Sequence, residues 1–329
     1  MNISIFMAVW CQNLWDELIL KNEINSLREK YKDFSPKFQV FTYDIKNIFY
    51  SADDIEYFEY FPINIKNPKN IFRNIKNFWI FLSVIKKSDL VVFGGWGIFF
   101  DSEVGNAKNP LNQWFLRAKI AKFFRKKLMT YWVSLELKRE ESKKKIQKIF
   151  SLVDEALVRD EKSQKYLTNL WIQSEIISDP VFWDNPNISE KNSLLDSFTL
   201  DDFSPERLYK YNFENKKVWL ALRSWFLPNE EKIIQQCIEI IVNLWWEVYL
   251  LPHSLHQTDL QANDYLFLEK FVQKKVKIVS SLQEVYEIYA KKQVDMCISM
   301  RFHSMILCQS YGIEFIAIQY ANKTQIFTK

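Results

Sequence analysis

The sequence predicts an α/β protein built from two Rossmann-like domains facing a central cleft. Three observations predict it. Short apolar runs of strand length alternate with helix-length stretches along most of the chain. A single polar stretch, residues 185–216, interrupts the alternation. The length, 329 residues with 48% hydrophobic and 26% charged, suits about two domains, each with its own core.

The elements follow in order. Residues 3–9 read as an apolar strand, and 16–30 show helical spacing through Leu18, Ile19, Ile24 and Leu27. A strand is expected at 38–43, a helix at 71–85, then strand 90–93, helix 112–126, strand 128–133 and helix 142–152. Strand 155–158, helix 161–170 and strand 175–178 close the first series. After the polar stretch come strand 217–222, helix 230–244, strand 247–251, helix 263–272 and strand 276–279. Helix 282–290, strand 295–299, helix 302–311 and strand 315–318 complete the second. Buried-type strands separated by helices imply parallel sheets, whose ligands bind beyond the carboxyl ends of the strands. The expected division is therefore 1–184, a connection 185–216, and 217–329.

Charge and composition narrow the class. The net charge is +4, with 44 basic and 40 acidic residues, so no strong field for nucleic acid is expected. Cys11, Cys237, Cys297 and Cys308 lack metal-binding spacing and read as reduced thiols of a cytoplasmic protein. The start shows no signal-peptide pattern, and no apolar run reaches the roughly 18 residues of a membrane span. One count is unusual: 5 glycines against 12 tryptophans. Average usage of about 7% would give roughly 23 glycines, which an α/β chain needs for its tight turns.

Four stretches place polar groups at strand ends. In "WCQNLWDELIL", Asn13, Asp16 and Glu17 sit where the first helix begins; helix capping and ligand binding are both open. In "FGGWG", Gly94, Gly95 and Gly97 form a turn suited to close ligand approach or to structure alone, with Asp101 following. In "LALRSW", Arg223 follows a strand, as a surface residue or as a fork-shaped donor to phosphate or carboxylate. In "CISMRFHSMILC", Arg301 and His303 fall at a strand-to-helix junction, where a helix N-terminus, an arginine and a histidine make an anion site with a proton donor. His253 and His256 also lie at a strand end, as site residues or as packing residues. No cysteine or carboxylate cluster completes a zinc site. The basic stretch "RAKIAKFFRKK" reads first as the solvated face of a domain helix, with contact to an anionic membrane as the other reading.

These blocks, in this order, resemble the polysaccharide pyruvyl transferase family. The opening block (Trp10, Asn13, then Trp15-Asp16-Glu17) is similar to the family's glycine, asparagine and Gly-Asp-Glu. Gly94-Gly95-Trp96-Gly97 with Asp101 resembles its four glycines and acidic residue. "VRDEKS" resembles Arg-Asp-Glu-x-Ser, followed by Leu170-Trp171 for a leucine-glycine pair. Asp179-Pro180-Val181-Phe182 is similar to Asp-Pro-x-Phe, and "SMRFHSMILCQSYGIEFIAIQY" to the Met-Arg-x-His helix and strand. Trp10, Trp15, Trp96 and Trp171 stand where the family has glycine, and Trp132, Trp225 and Trp245-Trp246 sit at glycine-like positions. A UGA codon that the organism reads as glycine, written as tryptophan, would produce this pattern. The rival reading is a degenerate relative with a blocked site. The family usually continues past Tyr320 and Lys323 with a further helix, so the chain is expected to end early.

The resemblance implies a GT-B-like fold and transfer of a pyruvate ketal from phosphoenolpyruvate to a sugar of a cell-surface glycan or its precursor, with a lipid-linked acceptor among the options. It implies His303 and Arg301 as catalytic residues, and Arg223, His253, Asn13, Asp16, Glu17, Gly94, Gly95 and Gly97 as substrate-binding residues. The acceptor is expected on the first domain and phosphoenolpyruvate on the second. No metal or other cofactor is expected, nor any nucleic-acid partner. The protein is placed in the cytoplasm, with at most peripheral contact at the inner face of the membrane. Two alternatives remain: a GT-B-type glycosyltransferase using a nucleotide sugar, and an inactive carbohydrate-binding relative.

Overall fold

The computed structural model describes residues 1–7, 12–43, 45–61, 68–95, 97–101, 111–177, 193–199, 204–211, 216–224, 230–243, 247–255 and 263–319. The chain divides into two compact units, Met1–Cys11 with Asp16–Asp184, and Gln12–Trp15 with Asn185–Lys329.

The first unit alternates strand and helix: β1 (Asn2–Met7), α1 (Leu14–Lys30), β2 (Lys37–Thr42), β3 (Ile55–Glu59), α2 (Ile71–Lys87), β4 (Leu90–Gly94). It continues through β5 (Phe99–Phe100), α3 (Leu111–Phe123), β6 (Lys127–Val133), β7 (Leu135–Glu136), α4 (Glu140–Phe150), β8 (Glu155–Val158), α5 (Glu161–Thr168) and β9 (Glu175–Ile176). Seven strands form one parallel sheet in the order β3-β2-β1-β4-β6-β8-β9, and β5 and β7 pair separately. The chain order reverses between β1 and β4, where Met7 lies opposite Gly94. That reversal is the switch point at which such sheets bind ligands.

The central strands are mostly apolar because both faces are covered, with Ser4 of β1 buried through a hydroxyl contact to Ser88. Ile3, Ile5 and Phe6 of β1 and Leu90 to Phe93 of β4 are all buried. Phe6 stacks on Phe41 with centroids 4.3 Å apart and meets Phe81 and Phe93 edge-on. Such ring pairs add about 0.5–1.5 kcal/mol each beyond their area burial.

The second unit contains β10 (Leu194–Thr199), β11 (Val218–Ala221), α6 (Glu230–Asn243), β12 (Val248–Leu250), α7 (Asp264–Leu268) and β13 (Val276–Ile278). It ends with α8 (Leu282–Ala290), β14 (Met296–Ser299), α9 (Phe302–Tyr311) and β15 (Glu314–Gln319). Its parallel sheet runs β10-β15-β14-β11-β12-β13. Here the order reverses between β11 and β14, and Ala221 lies opposite Ser299.

Four strands, β3, β5, β7 and β10, are absent from the sequence reading. The stretch 185–216, expected as a connection, carries β10, an edge strand of the second sheet beside β15. Its apolar run is short and bracketed by Asn, Ser and Asp, although Phe198 is buried in the core of that unit. The short strand β3 is also an addition; as the outermost strand it is half-exposed and lacks a continuous apolar signature.

Candidate functional site

The second sheet's switch point gathers the charged side chains. Arg223 follows β11, and Arg301 and His303 open α9 directly after β14. The turn is fixed locally: the Met300 and Arg301 amides donate to the Ala221 carbonyl at 3.0 and 3.3 Å. Ser299 Oγ accepts from the Arg301 amide at 3.1 Å and donates to its carbonyl at 2.9 Å. Arg301 is the N-cap residue and His303 the second helical residue, so both flank the amides at the positive end of α9.

A third group completes this arrangement. Asp264, the first residue of α7, is buried and forms an ion pair with Arg301. Its carboxylate also accepts from the His253 amide at 3.1 Å. Burial pushes the Asp264 carboxyl up, while Arg301, Arg223 and the His253 amide pull against it. The Asp264 carboxylate is thus paired with Arg301 and feels the Arg223 charge as well. Arg301 Nε is buried without a protein partner among the described residues, a donor left over after Asp264 is served.

His253 has a different setting from the ligand-facing one expected of it. It is 2% exposed. Its Nδ1 lies 3.0 Å from the Leu251 carbonyl, and its Nε2 lies 3.2 Å from the Tyr289 hydroxyl. The carbonyl can only accept, so Nδ1 carries the proton and Nε2 accepts from Tyr289. Burial, with Arg301 nearby, pushes the imidazole down to about 3, which keeps it neutral. Tyr289 also meets Ser304 Oγ at 2.7 Å, so α8, α9 and the end of β12 are tied by one buried network.

His303 carries an aromatic neighbour. The Trp15 indole lies flat on its ring, with centroids 4.1 Å apart and planes 9° from parallel. Trp15 belongs to the short segment Gln12–Trp15 that groups with the second unit. That segment is held by Leu14 N–H to the His253 carbonyl at 3.0 Å, Leu255 N–H to the Gln12 carbonyl at 2.8 Å, and a bridge between Asn13 and Ser254. Asn13 Oδ1 accepts from the Trp15 amide at 3.1 Å, which is the capping reading of that residue.

The first unit holds the other predicted residues. Asp16 and Glu17 lie in the first turn of α1, favourable for carboxylates. Burial, then the Glu17 charge, pushes the Asp16 carboxyl well up. Gly94 ends β4 at that sheet's switch point. A Cβ there would meet the Glu23 carboxyl oxygens at 2.2 Å, so any larger residue would have to displace the Glu23 side chain. Gly95 and Gly97 have φ of +82° and +68°, a backbone that side chains rarely adopt. The turn therefore has structural reasons for its glycines. Asp101 accepts from the Lys138 and Arg139 amides at 2.7 and 2.8 Å, which outweigh its desolvation and hold its carboxyl below the usual range. Trp10, Trp96 and His256 lie outside the described residues.

Two tryptophans stand in glycine-type backbone. Trp132 has φ +54° within β6, where the pairing to β8 shifts register. It is fully buried, and its indole N–H has no partner among the described residues. Trp171 has φ +60° and is 97% exposed. It ends α5 in a Schellman turn: its amide donates to the Thr168 carbonyl at 2.9 Å, and the Ile172 amide to Leu167 at 3.0 Å. Gly312 ends α9 with the same bonds and φ +66°.

A family model, "Polysaccharide pyruvyl transferase", matches residues 38–322. The chain belongs to that family. Among curated proteins, none matches the sequence. Among solved structures, the chain is similar to UDP-GlcNAc 2-epimerase from Methanocaldococcus jannaschii (TM-score 0.55, 10% identity, 99% of this chain and 86% of that one). It is also similar to S. aureus MnaA in its UDP co-structure (TM-score 0.54, 11% identity, 99% and 81%). A third is UDP-GlcNAc 2-epimerase from Neisseria meningitidis bound to UDP-GlcNAc (TM-score 0.50, 14% identity, 100% and 85%). These neighbours give the fold, α/β and GT-B-like, as the sequence predicts. Membership makes this pyruvyl transferase family protein a carbohydrate-modifying enzyme. No described helix is long and apolar enough to cross a membrane.

The sequence pointed to Arg223, Arg301 and His303, and the structure places all three at one switch point. It gave no sign of Asp264 or Tyr289. Asp264 opens a short helix after an irregular segment, and nothing in "NDYLFLEK" distinguishes a buried ion-pair partner from an ordinary first-turn acid.

Proposed function

We propose that this protein transfers a pyruvate ketal from phosphoenolpyruvate to a sugar of a glycan or glycan precursor. The supporting observation is the cationic switch point: Arg301 and Arg223 around one buried carboxylate, beside His303 at a helix N-terminus. A donor bearing both phosphate and carboxylate needs two fork-shaped cations and amides aimed at negative charge. Asp264 positions the Arg301 guanidinium, and His253, neutral and buried, positions Asp264 through its amide.

The chemistry balances without a redox partner. His303 delivers a proton to the methylene carbon of phosphoenolpyruvate, and the adjacent carbon becomes oxocarbenium-like. A sugar hydroxyl adds to that carbon and returns a proton to His303. The carbon–oxygen bond to phosphate breaks, the arginines hold the departing phosphate, and a second hydroxyl adds to close the ketal, its proton leaving with the phosphate. The products are the ketal and inorganic phosphate. Asn13, Asp16 and Glu17 are the residues proposed for the acceptor, with Asp16, its carboxyl raised by burial, suited to donate a hydrogen bond to a sugar oxygen.

Phosphate release from phosphoenolpyruvate with a panel of glycans tests the reading. His303→Ala is expected to lower turnover by about 10²–10⁴-fold. Arg301→Ala is expected to raise KM for phosphoenolpyruvate as well as lower kcat. Near-normal turnover in either variant, with the fold intact, rejects the assignment.

A further inference from the structure

Among the described residues, two neighbouring helices of the first unit each carry a line of large apolar side chains that face solvent. Along α2, Ile71, Phe72, Ile75 and Trp79 are 52%, 85%, 52% and 65% exposed. Phe72, Ile75 and Trp79 are spaced by three and four residues, so they share one outward line of the helix. Along α3, Leu116 and Phe123 are 46% and 80% exposed, with exposed Lys119 between them on the same line. Single exposed apolar residues need no explanation, but two adjacent lines of them do.

The two helices belong to the same face. The crossovers from β3 to β4 and from β4 to β6 run in the same direction along the sheet, and parallel crossovers share one hand, which puts α2 and α3 on one side of it. They also pack beside each other. Neither helix contains an aspartate or glutamate. Their cations are Arg73, Lys76, Lys86 and Lys87 on α2, and Arg117, Lys119 and Lys122 on α3, with Arg125, Lys126 and Lys127 just beyond. Arg73 is spent on Glu59, Lys122 on Asp154 and Lys127 on Glu155, and Arg117 is buried among aromatic rings. Lys76, Lys86, Lys119 and Arg125 are exposed.

We infer that the α2–α3 face is a docking surface for an anionic lipid bilayer. Aromatic side chains enter the boundary between headgroups and acyl chains, and the surrounding lysines meet the anionic headgroups. The charge decides between occupants. A second copy of the chain would bring the same cations against these, without an acid on either helix to answer them. An anionic membrane supplies that answer along the whole face.

Co-sedimentation of the full chain with extruded vesicles tests this. Vesicles of phosphatidylglycerol mixed with phosphatidylcholine are compared with phosphatidylcholine alone. The protein is expected to sediment with the anionic vesicles, and raised salt is expected to weaken the binding. Phe72→Ser with Trp79→Ser should lower the partition coefficient by at least about tenfold. Lys76→Ala and Lys119→Ala should each lower it by up to about fivefold. These side chains are exposed, so the thermal midpoint should stay close to that of the parent, which separates lost docking from lost fold. Equal binding to both vesicle types, no binding to either, or unchanged binding by the apolar double variant would overturn the inference. So would a concentration-dependent dimer that the double variant abolishes while vesicles bind nothing.

Discussion

At the scale of single residues, the tryptophans carry the sharpest expectations. Trp171 holds a left-handed turn that favours glycine, and its side chain touches almost nothing. For an L-residue that backbone costs about 1–2 kcal/mol. Trp171→Gly should therefore raise stability by about 1 kcal/mol, read as a higher midpoint in chemical unfolding; a lower midpoint would contradict this account. Arg125 and Lys292 hold left-handed turns too, at φ +55° and +50°, so the motif alone does not demand glycine. Trp132 is the more costly case, since it combines positive φ, full burial and an unpartnered indole N–H. These features agree with the proposal that several tryptophans stand at glycine positions. Trp15 differs, because it lies in the regular first turn of α1 and the constraint is space over His303. Trp15→Gly would uncover one face of the imidazole. We expect it to raise phosphoenolpyruvate turnover; a fall in kcat would mean that the indole positions the ring instead.

At the scale of elements, α1 contains an acid in an apolar setting. Glu23 is fully buried, and both carboxyl oxygens lack a partner among the described residues. It fills the space that the missing Cβ of Gly94 leaves. Burial pushes its carboxyl well above the ordinary value. The native state therefore binds a proton that the unfolded chain releases near pH 4.3, roughly the free glutamate value. Stability from this group is complete below that pH and is lost as pH rises through the native value, at about 1.4 kcal/mol for each unit of upward shift. The thermal midpoint should fall on going from acidic to neutral pH, and Glu23→Gln should flatten that fall; an unchanged slope would show that Glu23 is not the group.

Much of this level was legible beforehand. The core strands announce themselves as apolar runs because parallel strands are buried on both faces. The edge strands β3 and β10 do not, because each is paired on one side only. At the site, Arg301 and His303 could be located from the strand-to-helix junction. Their partner Asp264 could not, because the contact joins positions 37 residues apart. The part played by His253 was hidden as well, since a strand-end histidine looks alike whether it faces a ligand or a buried tyrosine.

At the scale of the whole molecule, each unit holds a parallel sheet with a switch point near its middle, between β1 and β4 in the first and between β11 and β14 in the second. The first sheet places Gly94 at its reversal, and the second places Arg223, Arg301 and His303 at its own. Fold alone does not choose a reaction, since the neighbours named with UDP or UDP-GlcNAc share it at 10–14% identity. Family membership and the cationic switch point together favour phosphoenolpyruvate as donor. The most direct measurement follows the donor and the product together: phosphate released from phosphoenolpyruvate, and pyruvate ketal formed on a glycan acceptor, quantified in the same reaction. The account predicts equal amounts of the two, both abolished by His303→Ala. Turnover of a nucleotide sugar with release of nucleoside diphosphate, while phosphoenolpyruvate stays intact, would contradict it.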